Sequence, residues 1–205
     1  MATPVYPNAI KFSDIQTEFG GSNPISLSEY YAGGSLVSSY QTGQPLGVVT
    51  AVPTSGQALK LGNFQGTYFN FVYTITSNTA NFNLYTAMLA AGYVAGKDFT
   101  VNLTVNTGIY VWTNSTSLAA FDTGTIPTAT LMTITITNNG YIMGKGGTGG
   151  SANSNALTAP TTGGPAMNLQ ANITLVNNGY IGGGGGGGGA VQTVYYTSSG
   201  NYNVG

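Results

Sequence analysis

The stretch Ile134-Thr-Ile-Thr-Asn-Asn-Gly-Tyr-Ile-Met-Gly-Lys-Gly-Gly-Thr-Gly-Gly150 returns, little changed, as Ile173-Thr-Leu-Val-Asn-Asn-Gly-Tyr-Ile-Gly-Gly-Gly-Gly-Gly-Gly-Gly-Gly189, so that Ile134 answers to Ile173 and Gly150 to Gly189. Each copy holds a strand-like apolar run, an Asn-Asn-Gly turn, a Tyr-Ile pair and then glycines. Duplication at this period points to stacked supersecondary units, although two copies are few for a solenoid. Ordering a glycine gives up more backbone entropy than ordering any other residue. An ordered run from Gly182 to Gly189 therefore demands backbones so close that no Cβ fits between them. Extended threefold helices have no internal hydrogen bonds. Laid side by side, they can bond to one another through amides and carbonyls. A flexible linker is the alternative, but such linkers usually interleave serine and have no reason to copy the unit that leads into them. The repeat therefore predicts a C-terminal polyglycine-helix region packed through Tyr141, Gly144, Gly146, Gly147, Tyr180, Gly183, Gly185 and Gly186.

Upstream, the period is two. Phe69, Phe71, Tyr73 and Ile75 alternate with Asn70, Val72 and Thr74; Phe99, Val101, Leu103 and Val105 alternate with Thr100, Asn102 and Thr104. This is the pattern of half-buried strands. Ile109 to Trp112 reads as a return strand after the Asn106-Thr107-Gly108 turn, and Met132, Ile134 and Ile136 form a third apolar face. One helix interrupts: Asn81 or Asn83 caps it, Leu84, Tyr85, Met88 and Leu89 make its stripe, and Gly92 closes it. The fold class is mainly β with a minor α+β character, a strand-rich domain carrying one short packed helix. The chain divides into 1–45, 46–137 and the glycine-rich repeat region 138–205.

The first 45 residues carry two short helix signals. Ser13-Asp14-Ile15-Gln16 reads as a capping box, stopped by Gly20-Gly21; Ser26 then caps a second helix that ends at Gly33-Gly34. Helices this short must dock on something. Phe12, Ile15, Phe19, Ile25, Leu27, Tyr30 and Tyr31 are the docking groups, either on the rest of this chain or on a partner.

Composition excludes several functions. Only 4% of the 205 residues are charged, with a net charge of −1, against roughly 25% charged residues in an average domain. Such a surface suits a protein that lives in an assembly. The four basic residues Lys11, Lys60, Lys97 and Lys145 are scattered, leaving no footprint for nucleic acid. There is no Cys and no His, hence no thiolate or imidazole metal site, and no cofactor is expected. No apolar run reaches membrane-span length and no secretory leader is evident, so synthesis in a cytoplasm without membrane insertion is expected. Gly144-Lys145-Gly146-Gly147-Thr148-Gly149 lacks the order of a phosphate-binding loop. The acids are isolated: Asp14 is explained by capping and Glu18 by solvation, while Asp98 and Asp122 sit in turns and make a poor glycosidase pair. The expectation is that the chain is not an enzyme.

The Asn-Asn-Gly-Tyr-Ile-x-Gly-x-Gly-Gly pattern at 138–147 and 177–186 resembles the glycine-rich modules of bacteriophage tail proteins and receptor-recognition adhesins. Fibre-tip adhesins of T-even-like phages use comparable stretches, and the resemblance implies stacked polyglycine helices with host-contacting loops between them. The segment Ile10 to Tyr31 is similar to one near the start of phage virion proteins, which implies attachment to the particle. Together the two matches cover about a third of the chain.

Binding residues are plentiful. Tyrosine, with 14 copies, offers a flat apolar face and a polar tip. The insert Ser151 to Asn168 and the tail are the candidate receptor contacts, through Asn153, Asn155, Thr158, Thr161, Tyr195, Tyr196 and Tyr202. The expected function is that of a virion tail, baseplate or fibre protein. Its N-terminal segment attaches to other virion proteins, and its C-terminal region meets a host surface glycan or outer-membrane protein. A two-module slab is thin, which favours assembly with identical copies or with another virion protein. The competing expectation is a capsid-decorating, head-fibre or baseplate component with no receptor.

Overall fold

The structure, a computed structural model, describes residues 3–4, 8–37, 52–153, 156–191, 193–197 and 200–204. Its centre is a parallel coil. Strands β1 (Phe69–Ile75), β2 (Thr79–Ala80) and β3 (Phe82–Asn83) form the first turn, and β4 (Phe99–Val105), β5 (Tyr110–Trp112) and β6 (Phe121–Asp122) the second. The third holds β7 (Met132–Asn138) and β8 (Tyr141–Met143). It closes only after a hairpin, β9 (Ser151–Asn153) and β10 (Ala156–Thr158), with β11 (Met167–Asn168). The fourth has β12 (Thr174–Asn177) and β13 (Tyr180–Gly182), and a last hairpin pairs β14 (Thr193–Thr197) with β15 (Gly200–Val204).

Three sheets result, in the orders β1-β4-β7-β12, β13-β8-β5-β2 and β11-β6-β3, each parallel throughout. The chain visits them in rotation, which makes a three-sided solenoid of four coils. The register pairs Phe69 with Phe99, Phe99 with Met132 and Thr135 with Thr174, so the coils lengthen from the first to the third. The repeat that pairs Ile134 with Ile173 in the sequence is thus the register of coils three and four. Two earlier coils share the stacking but not the motif.

Alternation places Phe69, Phe71, Phe99, Val101, Leu103, Ile134 and Ile136 inside, where they pack with Val111, Phe121 and Ile142 from the other two sheets. The Asn-Asn-Gly corner stacks as well. Asn138 is fully buried; its Nδ2 donates to Asn177 Oδ1 (2.8 Å) and to the Tyr180 carbonyl (3.2 Å), and its Oδ1 accepts from Gly140 N (3.1 Å). The glycine of that corner is needed for close approach: a Cβ on Gly179 would lie 2.1 Å from the Gly140 carbonyl oxygen. Ile109–Trp112 is not the return arm of a hairpin. Tyr110–Trp112 pairs in parallel with the neighbouring coils, because Asn106-Thr107-Gly108 turns a corner of the coil instead of reversing the chain.

Helix α2 (Leu84–Ala90) packs on the first coil as expected, burying Leu84 and Met88, with Asn83 Oδ1 accepting from Thr86 N at 2.9 Å. A second, smaller core holds helix α1 (Phe12–Phe19): Ile15, Phe19, Tyr30, Val37, Val52 and Phe64 are buried together. The α1 cap differs from the expectation. Lys11 is the N-cap and the Asp14 carboxylate accepts from Lys11 N (2.8 Å), placing Ser13 inside the helix. The second N-terminal helix is only a 3-10 turn, Leu27–Glu29, although Ser26 does cap it by accepting from Ser28 N. Lys97 Nζ donates to the Thr17 carbonyl, tying this small core to the loop before β4.

Candidate receptor-binding region

The glycine segments extend coils three and four. Beyond β8 and β13, the amides of Gly144, Gly147 and Gly150 donate to the carbonyls of Gly182, Gly185 and Gly188 at 2.8–2.9 Å. A third, antiparallel segment comes from the insert. Gly184 and Gly187 donate to the carbonyls of Gly164 and Thr161, and Thr161 and Gly164 donate to those of Thr148 and Lys145, all at 2.7–2.9 Å. Each segment thus donates to the next around a closed triangle, using every third residue.

That spacing decides which glycines are obligatory. A Cβ on Gly144 or Gly147 would lie 2.1 or 2.0 Å from the carbonyl oxygen of Gly164 or Thr161. On Gly184 or Gly187 it would lie 1.8 or 1.9 Å from the carbonyl of Lys145 or Thr148. Gly146, Gly183 and Gly186 have only distant neighbours, at 3.5–3.9 Å, and Gly185 has none within 4 Å. Of the predicted packing glycines, Gly144 and Gly147 are therefore in tight contact, whereas Gly146, Gly183, Gly185 and Gly186 are not. Gly184, Gly187 and Gly163 also have no room for a Cβ and were not among the packing glycines predicted. The repeat could not single them out, because its register matches Gly144 and Gly147 with Gly183 and Gly186.

Tyr141 stacks on Tyr110 with centroids 4.5 Å apart and planes at 9°, and Tyr180 is its register partner on the other side. Trp112 and Met143, also exposed, lie on the same outer face. This aromatic face of the β2–β5–β8–β13 sheet was only half foreseen, because Tyr110 and Trp112 lie outside the repeat.

Of the expected receptor residues, Asn153 and Thr158 lie in the β9–β10 hairpin and Tyr195, Tyr196 and Tyr202 in the terminal one. Thr158 Oγ1 accepts from Ser151 N at 2.8 Å and so ties β9 to β10. Thr161 lies in the glycine triangle, its Oγ1 accepting from Thr148 N at 2.7 Å. Asn153 is in β9; its side chain, like all of Asn155, lies outside the described residues. Tyr195 and Tyr202 are register partners in the terminal hairpin and Tyr196 faces Asn201; their side chains also lie outside the described residues.

Among the expected attachment residues, Ile15, Phe19 and Tyr30 are committed to the small core, where Phe19 and Tyr30 meet Phe64 edge-on. Ile25 and Leu27 pack against that core, Tyr31 is half-buried, and Phe12 is exposed. Glu18 is not the solvated acid expected: it is buried, and that desolvation pushes its carboxyl up to about 7. Asp98, also buried, accepts from Leu131 N at 3.0 Å. Asp122 accepts from Gly124 N, Asn168 Nδ2 and Gln170 Nε2. Both therefore serve corners of the coil. No cluster of three or more metal-ligating side chains occurs among the described residues, and no helix there is long and apolar enough to cross a membrane.

The described residues define a class by their build, a sparsely charged parallel β-solenoid with exposed tyrosines and backbone-bonded glycine segments. A family model described as phage tail fibre adhesin Gp38 matches residues 70–205, about two thirds of the chain. The chain belongs to that family. It is accordingly a non-enzymatic, receptor-binding component of the virion's tail fibre. No curated protein and no solved structure matches the chain.

Proposed function

We propose that this adhesin attaches to the fibre through its N-terminal segment and meets the host with the end that carries the glycine triangle. The observation that carries this reading is the insert between β8 and β11. It leaves the coil, forms the β9–β10 hairpin and returns as the third side of the triangle. Backbone hydrogen bonds of the triangle, with Thr161 Oγ1 and Thr158 Oγ1 as side-chain ties, hold the base of that hairpin. The three glycine segments are threefold polyglycine helices on this reading, supported by their three-residue hydrogen-bond spacing. Asn153, Asn155, Thr158 and the tail residues Tyr195, Tyr196 and Tyr202 are the proposed contacts. A host surface glycan or an outer-membrane protein is the proposed receptor. Of the expected attachment residues, exposed Phe12 and half-buried Tyr31 are the ones proposed to meet other virion proteins or identical copies.

Adsorption competition tests the proposal. Purified protein is added to host cells before phage, beside a variant whose 152–157 tip is replaced by a short turn. The intact protein should block infection and the variant should not, with equal melting temperatures. Equal blocking by both refutes the assignment to the hairpin.

A further inference from the structure

We infer that a cleft on the solenoid wall, away from the hairpin and the glycine triangle, binds a neutral pyranose sugar. The cleft, about 490 Å³, is lined by the segments leading into β7 and β12. That volume is within the usual range for small-molecule sites. Its apolar lining residues are Ile126, Met132, Leu169 and Ala171, and its polar ones are Thr128, Gln170 and Asn172.

The polar wall is preorganised. Gln170 N donates to Thr123 Oγ1 (2.7 Å), its Nε2 donates to Asp122 Oδ1 (2.9 Å), and its Oε1 accepts from Thr125 Oγ1 (2.6 Å). The side chain is gripped at both ends, yet it keeps one amide hydrogen and one oxygen lone pair. Asn172 and Thr128 are exposed and make no hydrogen bond among the described residues, so they supply a second amide and a hydroxyl. On the apolar side, Met132 Sδ accepts from Ala129 N (3.2 Å), which steadies the thioether.

This chemistry selects the ligand class. No ionisable side chain lines the cleft; Asp122, which Gln170 contacts, already accepts three hydrogen bonds, and Asp98 is buried with Leu131 N donating to it. An anion or cation would be desolvated there with no counter-charge. A lipid would leave the amides unpaired. A pyranose presents a C–H face to Ile126, Met132 and Leu169, and hydroxyls that both donate and accept to amides that do the same. The cleft is open at its side, which suits one unit of a longer surface polysaccharide. The inference rests on the host-binding reading for its biological sense but not for its chemistry.

The test uses the full chain and ligand-observed saturation-transfer NMR. The probes are glucose, galactose, mannose, rhamnose and N-acetylglucosamine at high millimolar concentration, with N-acetylneuraminic acid as the charged control. At least one neutral sugar should bind in the millimolar range. Asn172→Ala should weaken it about tenfold, and Thr128→Trp, which fills the mouth, should abolish it, both with unchanged melting. The 152–157 tip replacement should leave it intact. Absence of transfer from all five sugars overturns the inference, as does binding insensitive to both variants or equal binding of the acid. Sugar binding without adsorption blocking would sink the receptor reading alone; blocking without sugar binding would sink the cleft alone.

Discussion

Alanine at Gly187 and alanine at Gly185 should move stability in opposite directions, although only one residue separates them in an unbroken glycine run. The Gly187 Cβ would sit 1.9 Å from the Thr148 carbonyl oxygen, and ordinary contact begins near 3.4 Å, so the two backbones must part until that overlap is relieved. The opening strains the bond from Gly187 N to Thr161 O (2.9 Å) and the neighbouring one from Gly147 N to Gly185 O (2.8 Å). Overpacking costs about 1–3 kcal/mol and each lost backbone bond about 1 kcal/mol. A destabilisation of about 3 kcal/mol follows, or a fall of about 6–12 °C in melting temperature for a chain of this size. At Gly185 no atom lies within 4 Å and φ is outside the left-handed region. Alanine there mainly restricts the unfolded chain, a gain of about 0.4–1 kcal/mol. Calorimetric melts of the two variants beside the parent decide the matter. Identical melting, or a greater loss at Gly185, would refute the three-residue rule for the triangle.

Two further outcomes follow from buried polar groups. Burial raises Glu18 from its ordinary 4.5 to about 7, so the folded state holds an extra proton between those values. Stability should therefore fall as pH rises from about 4.5 to 7, by up to about 3 kcal/mol; Glu18→Gln should flatten that slope in thermal melts, and an unchanged slope would assign the proton elsewhere. Asn138→Ala removes the bonds to Asn177 and Tyr180 and strands the Gly140 amide. A loss of about 2–3 kcal/mol is expected by chemical denaturation, and a loss below about 1 kcal/mol would mean that the corner ladder is not a stacking device.

The long strands were legible because Phe69–Ile75, Phe99–Val105 and Met132–Asn138 each alternate along their length, and that is local information. Closure into a solenoid was not. It depends on register between segments distant in sequence that share a face but not a motif, and the short strands Phe82–Asn83 and Phe121–Asp122 are too brief for any period. The repeat joining Ile134 to Ile173 was visible because both coils turn on the same Asn-Asn-Gly corner, with its buried asparagine and closely approached glycine. The third side of the triangle was hidden for a different reason. In Pro160-Thr161-Thr162-Gly163-Gly164-Pro165 only two residues are glycine, and only the positions facing a neighbour's carbonyl must lack a side chain. The polyglycine positions chosen from sequence alone could not be sorted into inner and outer without knowing which way each faces.

The unequal lengths of the coils have a practical consequence. Each coil is longer than the one before it, yet the strands stack in unbroken register, so the surplus is absorbed at the corners while the pairing is conserved. The β9–β10 hairpin is held at its base by Thr158 and Ser151. It is therefore a natural splice point: a foreign peptide grafted there would be displayed on a sparsely charged pedestal, and repertoires of such grafts could be screened without redesigning the body that carries them.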